Sequence, residues 1–153
     1  MDSKAAEQSA QFKLMLESCM CLQFRMASRL LTQYYDEQLR PSEVRATQLP
    51  ILVALALDGP TSVNQFAKRL MMDRSTLGQN VKPLEAKGLV AISAGADRRT
   101  REIKLTDAGF EAVEEATPLW EKAQKRIVEG FGKRQSAKLL WDLAAIQALG
   151  SKL

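Results

Sequence analysis

Apolar side chains recur at three- and four-residue steps early in the chain: Phe12, Met15, Cys19, Leu22, Met26, Leu30 and Tyr34. That spacing predicts one helix from about Gln11 to Leu39. Leu16, Met20, Phe24 and Leu31 widen the apolar surface, so burial on more than one side is expected. Pro41 in "LRPSEVRAT" stops the helix. In "TQLPILVALAL", Thr47 reads as an N-cap with Pro50 tolerated in the first turn, and "DGP" at 58–60 ends this second helix.

The middle of the chain carries two short helical patterns in quick succession. Ser62 and Gln65 have capping-box spacing ahead of the stripe Val63, Phe66, Ala67 and Leu70. Asp73 then caps "RSTLGQNVKPLEAKG", which Gly88 closes. Two short helices joined by a tight turn make a helix-turn-helix. "LVAIS" is β-rich, "AGADRRT" reads as a loop, and "REIKLT" alternates, which predicts a two-stranded hairpin. A hairpin directly after a helix-turn-helix is a winged helix. Thr106 caps a long helix, "DAGFEAVEEATPLWEKAQKRIVEGF", expected to be interrupted or kinked at Pro118. "GKRQ" is expected to turn, and a last helix begins near Ser136. The fold class is therefore mainly α with a small β-hairpin (α+β).

Composition narrows this further. The chain has 153 residues, 46% hydrophobic and 26% charged, the balance of one globular domain. The run Leu49–Leu57 is too short to cross a bilayer, and the N-terminus lacks an apolar signal core, so a cytoplasmic location and no membrane partner are expected. There is no histidine, and no nucleophile arrangement, phosphate-cradling glycine loop or metal-ligand spacing appears. An enzyme is not expected, nor a metal or cofactor. Cys19 and Cys21 form no disulfide framework and are expected as small buried hydrophobes, with a redox-sensing thiol as the alternative. Two residues apart on one helix, their side chains would diverge by about 200°.

Charge placement matters more than the net +4. Between Thr61 and Thr106, nine basic residues face four acidic ones, whereas the remainder holds thirteen against fourteen. All the excess lies in the winged-helix segment, which points to a polyanion partner. On a helical wheel Leu77, Val81 and Leu84 share one direction. Ser75, Gln79 and Lys82 point the other way, with Thr76 and Asn80 on the flank. Gln and Asn suit adenine, and Ser or Thr several bases, while Arg74 and Lys82 are placed for phosphate. In the loop, Arg98, Arg99 and Arg101 stand close together with only Asp97 and Glu102 nearby. Inserted arginine suits a narrow minor groove.

The stretch "SVNQFAKRLMMDRSTLGQNVKPLEAKGLVAISAGADRRTREIKLTDAG" resembles the MarR family of winged-helix regulators. "DRRTREIKLTDAG", with Asp97 and Arg99, is the most specific part, and the flanking helices follow in the expected order. The resemblance implies a single MarR-like domain over 1–153. It comprises a winged-helix lobe at 45–106 and a helical dimerisation region at 10–40 and 107–151. It implies a homodimer on double-stranded DNA with a pseudo-palindromic operator. The recognition helix carries Arg74, Ser75, Thr76, Gln79, Asn80 and Lys82, and the wing Asp97, Arg98, Arg99 and Arg101. A repressor relieved by a small ligand or by thiol oxidation is implied, with Met20, Phe24 and Trp120 as pocket walls and Cys19 and Cys21 as the thiols. Arg25 or Arg29 is placed to meet a ligand carboxylate or, equally, to serve the dimer interface. The competing class is a winged-helix protein-interaction module whose basic wing docks an acidic partner.

Two positions depart from the commoner family pattern. Gly78 loosens the recognition helix, and Gln79 removes a charge from its groove face. Pro83 is expected to release the Gln79 carbonyl and bend the axis. Trp120, Ile127, Phe131, Trp141, Leu143, Ile146 and Leu149 exceed what one small domain covers, and a partner surface is expected for them.

Overall fold

The structure is a computed structural model that describes residues 3–95 and 100–150. The predicted first helix is two helices, α1 (Ser3–Ser18) and α2 (Met20–Leu39). Cys19 separates them in extended backbone, φ −70° and ψ 101°. The Ser18 hydroxyl donates back to the Leu14 carbonyl at 2.7 Å, a bond that competes with the helical ladder. The Gln23 amide donates to the Leu16 carbonyl, 3.1 Å away, covering an acceptor at the break. Packing within the single chain does not supply the expected burial on several sides, because Met15, Leu16, Met20, Leu30 and Leu31 are exposed there.

A 3₁₀ turn (Arg40–Ser42) begins immediately before Pro41, as the stop signal requires. α3 (Leu49–Asp58) has Gln48 rather than Thr47 as its N-cap. The Gln48 side chain accepts from the Arg45 N–H at 3.1 Å, so a turn over 45–48 sets the boundary one residue later. Gly59 ends α3 with φ 72°, which favours glycine.

β1 (Thr61–Ser62) leads into α4 (Val63–Arg69). Ser62 caps α4 by accepting from Gln65 N at 3.2 Å, and its hydroxyl donates to the Gln65 side-chain oxygen. α5 (Arg74–Ala86) follows, then β2 (Val90–Ala94) and β3 (Arg101–Leu105). The sheet has three strands rather than two, in the order β1-β3-β2, all antiparallel. Thr61 pairs with Ile103 and Ser62 with Glu102, while Val90 pairs with Leu105.

α6 (Asp107–Phe131) runs unbroken through Pro118, so the predicted interruption does not occur. Gly132 alone, at φ 99°, separates it from α7 (Lys133–Gly150), and "KRQ" is helix rather than turn. The core gathers Leu39, Ile51, Leu52, Leu55, Phe66, Leu77, Leu84 and Ile103, joining α3, α4, α5 and the sheet to the end of α2. α6 adds Ala112 and Ala116, small residues that let it lie close to α3.

Candidate nucleic-acid interface

α5 is held by its two ends and by one face. At the N-terminus Asp73 accepts from Thr76 N and from the Thr76 hydroxyl, both at 2.7 Å. These bonds hold the Asp73 carboxyl below its ordinary range, chiefly through the Thr76 N–H. At the C-terminus Gly88 takes φ 73°, and Lys87 Nζ donates to the Glu43 carbonyl at 2.9 Å. Leu77, Val81 and Leu84 are buried, as the wheel requires.

That packing turns the other residues outward. Arg74, Ser75, Thr76, Gln79 and Lys82 are exposed, and Asn80 is half-buried. Two of the predicted readers are engaged within the helix. Asn80 Nδ2 donates to the Thr76 carbonyl at 2.9 Å, and the Thr76 hydroxyl is committed to Asp73. The side chains of Ser75 and Gln79 bond to no described residue, and neither do the cations of Arg74 and Lys82. Despite Pro83 the helix is continuous from Arg74 to Ala86.

β2 and β3 form the predicted hairpin, closed at its far end by Gly95 N donating to the Thr100 carbonyl at 2.8 Å. Arg101, exposed, opens β3 opposite Ala94. Asp97, Arg98 and Arg99 lie outside the described residues.

A cavity of about 980 Å³ lies between α2, α3, α6 and α7. Phe24 and Trp120 line it as expected. Met20 does not, being exposed at the start of α2. Leu31, Tyr35, Val53 and Leu143 complete the apolar wall, and Ser28, Thr32, Thr117 and Gln147 add neutral polar groups. Among the described residues no lysine, arginine, aspartate or glutamate lines it; Arg25 and Arg29 are exposed elsewhere on α2. Phe24, Ser28, Leu31 and Tyr35 repeat at helical spacing, a signal already present in the chain. The α3 and α7 walls come from distant sequence and carry no such signal. The Tyr35 hydroxyl donates to the Gln124 side chain, and its pKa is raised by burial and then by neighbouring Tyr34.

Both cysteines are exposed in the chain, contrary to the expected burial, and Cys19 is not helical. The expected divergence of the two side chains assumes a continuous helix and does not apply. Among the described residues no metal-binding cluster occurs and no helix is long and apolar enough to cross a membrane.

A capped helix-turn-helix followed by an antiparallel hairpin and flanked by long helices defines a winged-helix protein. Residues 42–100 match the MarR family profile. The chain is 34% identical to the transcriptional regulator MosR of M. tuberculosis, solved in complex with DNA. That match has a TM-score of 0.79 and covers 88% of this chain and 98% of MosR. The chain belongs to the MarR family. It shares the fold of E. coli MarR bound to operator DNA, at 19% identity and TM-score 0.77 over 87% of this chain and 96% of that one. It is also 26% identical over 109 residues to YwoH of Bacillus subtilis, an uncharacterized HTH-type transcriptional regulator, covering 71% of this chain and 80% of YwoH.

Proposed function

We propose that this protein is a DNA-binding transcription regulator, acting as a homodimer that represses from a pseudo-palindromic operator and is released by a small molecule. The observation that carries the reading is the outward face of α5. There Ser75 and Gln79 offer free hydrogen-bonding groups between Arg74 and Lys82, on a helix held rigidly from behind. The likeness to MosR, itself solved with DNA, supports the same partner. In this reading the 45–106 lobe contacts DNA, Gln79 and Ser75 read bases, and Arg98, Arg99 and Arg101 of the wing enter the minor groove.

Dimerisation is supported by exposed apolar side chains on the flanking helices, among them Phe12, Leu30, Phe131, Trp141 and Leu149. In this reading regions 10–40 and 107–151 form the twofold interface. Sedimentation across a concentration series is expected to show no folded monomer at micromolar protein.

The cavity supports a ligand response, and its uncharged lining selects an uncharged, largely apolar effector over a carboxylate. A thiol response is the alternative, with Cys19 at the break between α1 and α2 and Cys21 in the first turn of α2, both exposed in the single chain. Operator affinity unchanged by peroxide would remove that second reading.

Selection of duplexes from a random pool tests the whole. A recovered palindromic motif is expected, with log affinity falling against log salt at a slope of about −7 for about eight neutralised phosphates. No motif at low salt would refute the reading and favour a protein-docking wing.

A further inference from the structure

Gly78 stands in the interior of α5, exposed and in ordinary helical backbone. Nothing among the described residues asks for glycine there. A Cβ at this position meets nothing within 4 Å, and φ is not positive. Gly109 is the opposite case, since a Cβ there falls 2.1 Å from the Leu89 carbonyl oxygen. Only proline is a weaker helix former than glycine. The helix is thus weakened at residue 78 without any packing return.

The neighbours on the wheel suggest what the gap accommodates. Arg74 and Lys82 lie four residues to either side, on the same ridge, each about 6 Å away along the axis. Both are exposed, and neither is paired with a described residue. Glu85 lies one turn beyond Lys82 and forms no ion pair with either cation. The ridge therefore runs cation, gap, cation. Ser75 and Gln79, the free hydrogen-bonding groups, lie on the Lys82 flank of this ridge, about 60° and about 100° round the helix from Gly78.

Resting on the reading of α5 as a DNA-facing helix, we propose that Gly78 is a DNA-backbone contact position: the gap admits one phosphate of the strand against the bare helix, held between Arg74 and Lys82. A phosphate is compact, anionic and able to accept from both sides, which fits a notch walled by two cations. A base edge fits it less well, because bare glycine backbone offers it no side-chain donor or acceptor. A side chain at 78 would hold the strand off both cations at once.

Gly78→Ala and Gly78→Leu test this against parent protein. Each is titrated with a selected operator duplex and an unrelated duplex of equal length, at several salt concentrations, alongside a thermal melt. Both variants are expected to melt at or above the parent temperature. The Leu variant is expected to bind both duplexes about tenfold more weakly, with a salt slope shallower by about one. The Ala variant should fall between. Undiminished binding by the Leu variant overturns this inference alone, as does a loss confined to the operator with a new preferred sequence. A parent that binds neither duplex overturns the DNA reading and this inference with it.

Discussion

The Thr106 hydroxyl donates to the Gly88 carbonyl at 2.7 Å while accepting from Gly109 N at 3.0 Å. One side chain thereby caps α6 and ties its start to the residue that closes α5. The link runs from the helix proposed to face DNA to the long helix proposed for the dimer. Thr106→Val removes both bonds and is expected to cost about 1–2 kcal/mol, lowering the melting temperature by roughly 2–8 °C. Thr106→Ser should restore most of the loss, which calorimetry on the pair will measure.

Asp73 gives a pH-dependent counterpart at the other end of α5. Its carboxyl is held below its ordinary range by the Thr76 N–H and hydroxyl, so folding favours the ionised form. The contribution is complete above roughly pH 4 and fades as pH falls through the lowered native value. Asp73→Asn keeps a capping side chain but cannot ionise. Melts from pH 7 to pH 2 are expected to show a flatter acid limb for the Asn variant. An Asp73→Ala variant should melt a few degrees lower at neutral pH.

Gly109 is expected to resist any substitution. An alanine there would press on the Leu89 carbonyl oxygen and lie 2.6 Å from Leu105 Cδ1. Backbone cannot yield as a flexible side chain does. Gly109→Ala is expected to destabilise by about 1–3 kcal/mol or more in urea titration, opposite in sign to Gly78→Ala.

The cavity makes a ligand prediction. Trp120 lines it and Trp141 does not, and these are the two tryptophans of the chain. In a Trp141→Phe background, an uncharged aromatic compound is expected to change Trp120 fluorescence saturably. Its carboxylate analogue should bind at least about tenfold more weakly, because the apolar wall offers no counter-charge. Equal affinity for the two would contradict the uncharged-ligand reading.

Much of the candidate interface is legible in the amino-acid order. Asp73, Ser62 and Thr106 announce helix starts through bonds spanning three residues, and the Leu77, Val81, Leu84 stripe orients α5 without outside help. Ser75, Gln79, Arg74 and Lys82 face outward for the same reason. Thr76 and Asn80 fit the expected reading role only in part, since both spend hydrogen bonds on α5 itself. The third strand leaves no mark in the sequence, because two residues are too few to carry an alternation.

Order along the chain thus suffices wherever the controlling forces act within one helical turn: caps, stripes and glycine closures. Tertiary packing settles the rest. It adds β1 to the hairpin. It keeps α6 whole through Pro118 and brings Phe24, Val53, Trp120 and Leu143 to one cavity. Those outcomes depend on surfaces far apart in sequence meeting to exclude water, and no local spacing encodes which surfaces will meet.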